Sequence, residues 1–195
     1  MIKVGIIGGA GYTAGELIRL LMNHSEADID FVFSTSQAGA LVSHVHQDLA
    51  GITALEFSSE INPEVDVVFL CLGHGNSKSF LDKYKFSKNT KIIDLSNDFR
   101  LEASKVFQGK SFVYGLPELN SKPISSAQSI ANPGCFATAI QLSLLPLAKS
   151  NLLQEDVHVN AVTGATGAGT SPSSTSHFPW RDNNFSSYKV FSHQH

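Results

Sequence analysis

"VGIIGGAGYTAGELIRLL", residues 4–21, decides the fold class of this chain. Val4, Ile6 and Ile7 form a short β-branched apolar run that ends in glycine, the pattern of a strand buried on both faces. Ala14, Leu17, Ile18 and Leu21 then recur at helical spacing, with Glu16 placed early, where the positive end of a helix dipole favours an acid. "IDFVFSTS", residues 29–36, returns to strand character. Strand, glycine-rich turn, helix and second strand predict a β-α-β unit.

The alternation continues. "VDVVFLCLGHGNS" (65–77) reads as another buried strand ending in a Gly-His-Gly loop, "KSFLDKYKFSK" (78–88) as a polar helix and "TKIIDLSNDF" (90–99) as a further strand. Such a pattern predicts an α/β fold, a doubly wound parallel sheet of Rossmann type with helices on both faces. Residues 101–128 are mixed and loop-rich. From Cys135 a helix is written by Ala137, Ile140, Leu144 and Leu147, and Pro146 inside it predicts a kink or an early end. "VHVNAVTG" (157–164) reads as the first strand of a new sheet. The expected division is a dinucleotide-binding domain over 1–134 and the beginning of an α+β substrate and dimerisation domain over 135–195.

Composition bounds the rest. With 195 residues, 42% of them hydrophobic and 16% charged, the chain can bury a real core. A net charge of -3 and the absence of any Lys/Arg block argue against nucleic acid as a partner. Glycines interrupt the amino-terminal apolar stretch, unlike a signal peptide, and no apolar run approaches the length needed to cross a bilayer. Two cysteines fit a reducing compartment, so a cytoplasmic location and no membrane partner are expected.

Chemistry concentrates in a few places. In "GGAGYTAG" (8–15) the spacing Gly8-x-x-Gly11-x-x-Ala14 follows a strand and opens a helix, so backbone N–H groups there, with Tyr12 and Thr13 at the helix start, can hold a pyrophosphate. At the end of the second strand, where an NAD site normally carries Asp or Glu, stand Ser34, Thr35, Ser36 and Gln37. Neutral donors tolerate a 2′-phosphate, which favours NADP(H), although no Arg or Lys stands nearby.

Cys135 follows the stiff turn Asn132-Pro133-Gly134 and opens the predicted helix, where N–H dipoles hold a thiol toward its ionised form. Cys71, mid-strand between leucines, reads as apolar filler. A nucleophilic thiol needs a proton acceptor, and spacing alone singles out none of the eight histidines. "SHVH" (43–46) and "SHQH" (192–195) lack a surrounding ligand set, so no metal site is expected. "GATGAGTS" (164–171) misses a phosphate-binding loop because Thr170 replaces its lysine, and Tyr84-x-x-x-Lys88 reads as a solvated helix face.

"GAGYTAGELIRLL", "DVVFLCLGHG", "IIDLSNDFRL", "VYGLPELN", "NPGCFATA", "VTGATGAG" and "YKVFSHQH" occur in that order. In this the chain resembles the N-acetyl-gamma-glutamyl-phosphate reductase family, NADPH-dependent enzymes of arginine biosynthesis, and more distantly the aspartate-semialdehyde dehydrogenases. The resemblance implies that Cys135 attacks an acyl phosphate, releases inorganic phosphate and forms a thioester that is reduced to the semialdehyde. It further implies that Arg100 and Asn132 bind the substrate, Arg100 as a two-pronged carboxylate donor, and that His195, with His193 as the alternative, does acid/base work. The Thr166, Gly167 and Gly169 loop and Gly73-His74 would line the cofactor. A homo-oligomer, dimer or tetramer, is expected.

The chain departs from the family pattern at Ala14, which stands for a third glycine. The family also runs on past its His-x-His segment, which implies that only the first part of the substrate domain is present here. Two alternatives stay open: the same chemistry on an N-succinyl-glutamyl or aspartyl phosphate, and an NADP-binding module without turnover.

Overall fold

β1 (Ile2–Ile7) is an interior strand of a seven-stranded sheet, and its sequence shows why. Successive side chains of a strand point to opposite faces. Ile6 enters one core cluster with Ala14, Ile18, Val32 and Phe57, while Ile7 enters the other with Phe33, Leu70, Leu81, Ile92 and Phe99. Both faces are covered, as a continuous apolar run requires.

The computed structural model describes residues 1–192. The chain forms two compact units, 1–134 and 135–195. In the first, β1 leads through α1 (Tyr12–Met22) to β2 (Ala27–Phe33), the two-residue β3 (Phe57–Ser58), β4 (Val67–Leu70), α2 (Ser77–Lys83) and β5 (Lys91–Asp94). A small antiparallel pair, β6 (Val106–Phe107) and β7 (Lys110–Ser111), precedes β8 (Val113–Tyr114), α3 (Pro117–Ser126) and β9 (Ser129–Ala131). The large sheet has the order β3-β2-β1-β4-β5-β9-β8, and every pairing in it is parallel. This is the expected doubly wound α/β sheet. From β1 the chain winds outward to β3 and then returns to β4 on the other side of β1, so the switch point lies between β1 and β4.

α1 buries Ala14, Gly15, Ile18 and Leu21, one helical stripe. Glu16 is not in its first turn, which holds no acid; it pairs with Arg19 at 3.1 Å instead. Register in the β1–β2 pairing slips between Val4 and Gly5, which sets Gly5 opposite Phe31. A Cβ on Gly5 would lie 2.3 Å from that ring.

Gly8 adopts φ +80°, and a Cβ there would meet the Cys71 carbonyl oxygen at 2.6 Å. Gly8→Ala therefore combines left-handed strain with a backbone clash that neither strand can relieve alone. A loss of about 3 kcal/mol is expected, of which the conformation itself accounts for ~1–2 kcal/mol and the clash for the rest, and urea unfolding checks it.

The helix read over 78–88 is α2, which starts at Ser77 and ends at Lys83. Tyr84 is extended rather than helical because its ring turns inward, stacking on Phe80 at 4.6 Å and meeting Phe33 edge-on at 5.6 Å. The solvated-face reading of Tyr84 is thereby corrected: it packs on the core. Residues 101–128, read as loop-rich, contain β6, β7, β8 and α3.

The second unit begins with α4 (Cys135–Lys149), which runs on through Pro146 to Lys149 without the expected early end. A short 3-10 turn (Ala165–Ala168) and α5 (Phe178–Arg181) follow. Residues 157–164 form no strand, because no neighbouring strand within this unit's described residues supplies a ladder for them. Phe178, Trp180 and Phe185 of this unit stand exposed.

Candidate nucleotide site and nucleophile

In an open parallel sheet the ligand crevice lies beyond the carboxyl ends of the strands at the switch point. Here that position is framed by the ends of β1, β2 and β4, and a cavity of about 210 Å³ occupies it. Gly8, Ala10, Phe33, Ser34, Thr35, Ser36 and Leu72 line it.

The turn after β1 is anchored to β2: the N–H groups of Gly8 and Gly9 both donate to the Phe33 carbonyl, at 3.1 and 2.9 Å. Gly11 N–H then donates to Gly8 O at 3.1 Å, closing the turn, and Gly11 caps α1 with no side chain of its own. The first N–H groups of an α-helix lack intrahelical acceptors, and no carboxylate in the first turn competes for them. Tyr12 and Thr13 are exposed at this end and Ala14 is fully buried beneath it. Such an end suits a pyrophosphate.

Ser34 is buried at the end of β2, 3.5 Å from the hydroxyl of the exposed Ser36. No carboxylate lines the cavity, so nothing there repels a 2′-phosphate.

On the far side of the switch point, β4 leads into Gly73-His74-Gly75 and then α2. This loop is held by residues just after β5. Asp98, buried, accepts from the N–H groups of Gly75 (2.6 Å), Ser77 (3.0 Å) and Lys78 (3.2 Å), acting as a cap for α2 from a remote loop. Asp94 accepts from the hydroxyls of Ser77 at 2.5 Å and Ser96 at 2.7 Å. Burial raises the Asp94 carboxyl above its ordinary range, the two hydroxyls partly offset this, and the nearby Asp98 adds to it. His74 Nδ1 accepts from the Asn97 N–H at 3.1 Å, so any ring hydrogen lies on Nε2.

Sequence reasoning had named Gly73 and His74 but not Asp94, Ser96 and Asp98. The available signal is the Asp-x-Ser-x-Asp spacing that starts on the last residue of a strand.

Arg100 and Asn132, far apart in sequence, are brought together. The Arg100 Nε donates to the Asn132 carbonyl at 2.8 Å and its Nη2 to the Leu95 carbonyl at 2.7 Å, while Asn132 N–H donates to Asp94 O at 2.8 Å. Half-buried Arg100 thus ties the loop after β5 to the residue after β9.

In the second unit, Cys135 is exposed at the first position of the fifteen-residue α4. Cys71, half-buried, packs against the second core cluster, and burial pushes its thiol up to about 12. The two cysteines differ as their sequence contexts suggest. Thr166 and Gly167 lie in the 3-10 turn, whose end is closed by Gly169 N–H donating to Thr166 O at 3.0 Å, with Gly169 at φ +82°. His193 and His195 lie outside the described residues. A larger hollow, about 690 Å³ between Pro172 and Trp180, has exposed walls and carries no assignment. No cluster of three or more metal-binding side chains occurs among the described residues.

Residues 3–127 match the family described as "Semialdehyde dehydrogenase, NAD binding domain", and 135–195 match its dimerisation domain. The chain belongs to the semialdehyde dehydrogenase family. Within that family it is 66% identical over its whole length to the N-acetyl-gamma-glutamyl-phosphate reductase of Christiangramia forsetii and 65% identical to that of Flavobacterium johnsoniae. The Phocaeicola vulgatus reductase is 57% identical. The chain spans 60% of the length of each of these curated relatives.

A crystal structure of aspartate semialdehyde dehydrogenase with NADP from Candida albicans shares the fold, with a TM-score of 0.55 and 18% identity over 78% of this chain and 48% of that one. The motifs read from the sequence and these semialdehyde dehydrogenase relatives agree.

Proposed function

We propose that the protein to which these residues belong reduces N-acetyl-γ-glutamyl phosphate to the semialdehyde with NADPH, releasing inorganic phosphate, as a step of arginine synthesis. The observation that carries this reading is identity of up to 66% across the whole chain to reductases of that name. The crevice supports it: an uncapped helix start for the pyrophosphate, hydroxyls at the end of β2, and no carboxylate among the lining residues.

In this reading the Cys135 Sγ attacks the acyl carbon of the substrate, the C–O bond to phosphate breaks, and a thioester remains on Cys135. NADPH, when bound, supplies the hydride that turns this thioester into a thiohemiacetal, from which the thiolate departs to give the semialdehyde. Sulfur serves both steps, since a thiolate both attacks and leaves well. Arg100 is assigned to the substrate carboxylate, and Asn132, whose carbonyl the Arg100 Nε meets, borders the same place. His195, or His193, takes and returns the proton. Thr166, Gly167 and Gly169 are assigned to the cofactor, with Gly73 and His74 beside the nicotinamide ribose.

The description of residues 135–195 as a dimerisation domain supports assembly with a second copy. No helix among the described residues is long and apolar enough to cross a membrane, and the cytoplasm is the proposed location.

The test is the reverse reaction: phosphate-dependent reduction of NADP+ by N-acetylglutamate semialdehyde, followed at 340 nm. Turnover with this aldehyde and loss of turnover when phosphate is omitted are expected. Activity confined to aspartate semialdehyde or to the N-succinyl analogue would overturn the substrate assignment, and NADP+ binding without turnover would leave only a nucleotide-binding module.

A further inference from the structure

The turn Gly8–Gly11 has almost no side chains, and part of what braces it comes from elsewhere. His46 lies between β2 and β3 and is buried, 6% exposed. Its Nε2 stands 2.8 Å from the carbonyl oxygen of Gly9, and its ring tilts against Phe57 at 6.4 Å. A carbonyl can only accept, so Nε2 carries the hydrogen.

The neighbouring Nδ1–Cε1 edge of the ring fills the space beside Gly15 on α1. A Cβ on Gly15 would come within 2.6 Å of His46 Nδ1 and 2.7 Å of its Cε1. Glycine inside a helix is unfavourable, and here the ring accounts for it. The segment carrying His46 is itself tied to α1, because Arg19 clasps Asp48 through Nε and Nη2 at 2.5 and 2.6 Å. The imidazole is therefore wedged between a helix and the turn that precedes it.

A planar trans peptide points its C=O and the following N–H in opposite directions. With the Gly9 carbonyl held toward His46, the Ala10 N–H is turned away from the ring, and Ala10 is one of the residues lining the cavity at the switch point. We propose that His46 is a positioning residue of the dinucleotide site: by gripping the Gly9 carbonyl it orients the Gly9–Ala10 peptide, and with it the start of α1, toward the pyrophosphate. This rests on reading the turn as the NADPH site.

The test is NADPH affinity of the full chain by fluorescence titration, for the parent and for His46→Ala, His46→Gln, Gly15→Ala and the double variant His46→Ala/Gly15→Ala. His46→Ala should raise the Kd on the order of tenfold, as loss of one oriented contact to a charged group would. His46→Gln, whose amide can donate to the same carbonyl, should recover most of the affinity. Gly15→Ala should weaken binding although alanine is the better helix former, because its methyl displaces the ring. The double variant should bind no worse than His46→Ala, since both changes act through one contact.

Adenosine 2′-phosphate, which lacks the pyrophosphate, is the control. It should bind the parent and the variants alike. Parental NADPH affinity in either His46→Ala or Gly15→Ala overturns the proposal while leaving the site reading intact. Equal weakening of both probes, or strictly additive losses, assigns His46 to packing alone and also overturns it. A parent that binds no NADPH overturns the proposal together with the reading it rests on.

Discussion

Cys135→Ser is expected to cut acyl-phosphate reduction by a factor of about 10³ or more, because a serine hydroxyl is almost fully protonated at neutral pH and leaves a tetrahedral carbon far less readily than a thiolate does. Little should happen to the fold. Cys135 is exposed at the first position of α4, and surface changes of this size usually stay within about 0.5 kcal/mol. NADPH affinity should be unchanged, since the residues assigned to the pyrophosphate follow β1. The decisive measurement is mass spectrometry of the protein quenched after mixing with acyl phosphate in the absence of NADPH. The parent should carry one acyl group on Cys135 and the variant none. Acylation of Cys71 instead would sink the assignment, and the raised pKa of that half-buried residue argues against it.

Asp98→Ala is expected to destabilise the first unit by about 3 kcal/mol, because three N–H groups lose their only charged acceptor at once and two of them open a helix. The bonds concerned run from Gly75, Ser77 and Lys78, all within 3.2 Å of the carboxylate. α2 is only seven residues long and cannot hold its first turn without help. Its loosening should spread to Gly73-His74, which the cofactor reading places at the nicotinamide end, so the NADPH KM should rise as well. Hydrogen exchange at Gly75, Ser77 and Lys78 would report the local opening directly. A loss of stability below about 1 kcal/mol would show that water replaces the carboxylate adequately.

How far the sequence could be read depended on how local the cause was. β1, α1 and β2 were legible because the apolar runs and the helical stripe of Ala14, Ile18 and Leu21 are complete within a few residues. Ser34 at the end of β2 was legible because the end of a second strand is a fixed place in such folds. β8 and β9 were not, since strands of two and three residues have no period to detect. α3 escaped because PELNSKPISS has no apolar stripe and carries an internal proline, so the fold around it and not its own propensity makes it a helix.

The same rule divides the candidate residues. Cys135, proposed as the nucleophile, is legible from the turn before it and the helix after it. Asp98 serves a helix that begins 21 residues earlier, and His46 serves a turn 37 residues earlier. His-x-His at 44–46 invited a metal reading and its dismissal. The informative neighbour was Gly15, an unexplained glycine in a helix, whose missing side chain makes sense only with the ring beside it.

β1 is made before every other strand of this sheet and yet lies inside it once finished, third from the β3 edge. Its partner on one side, β2, follows within about thirty residues of translation, but its partner on the other side, β4, begins only at Val67. The outer pairings of β5 with β9 and β9 with β8 wait for Ala131. A nascent chain halted before Leu70 would therefore display the greasy flank of β1 to water or to a chaperone. The half-built sheet is sticky during synthesis, and only completion of the first unit silences it.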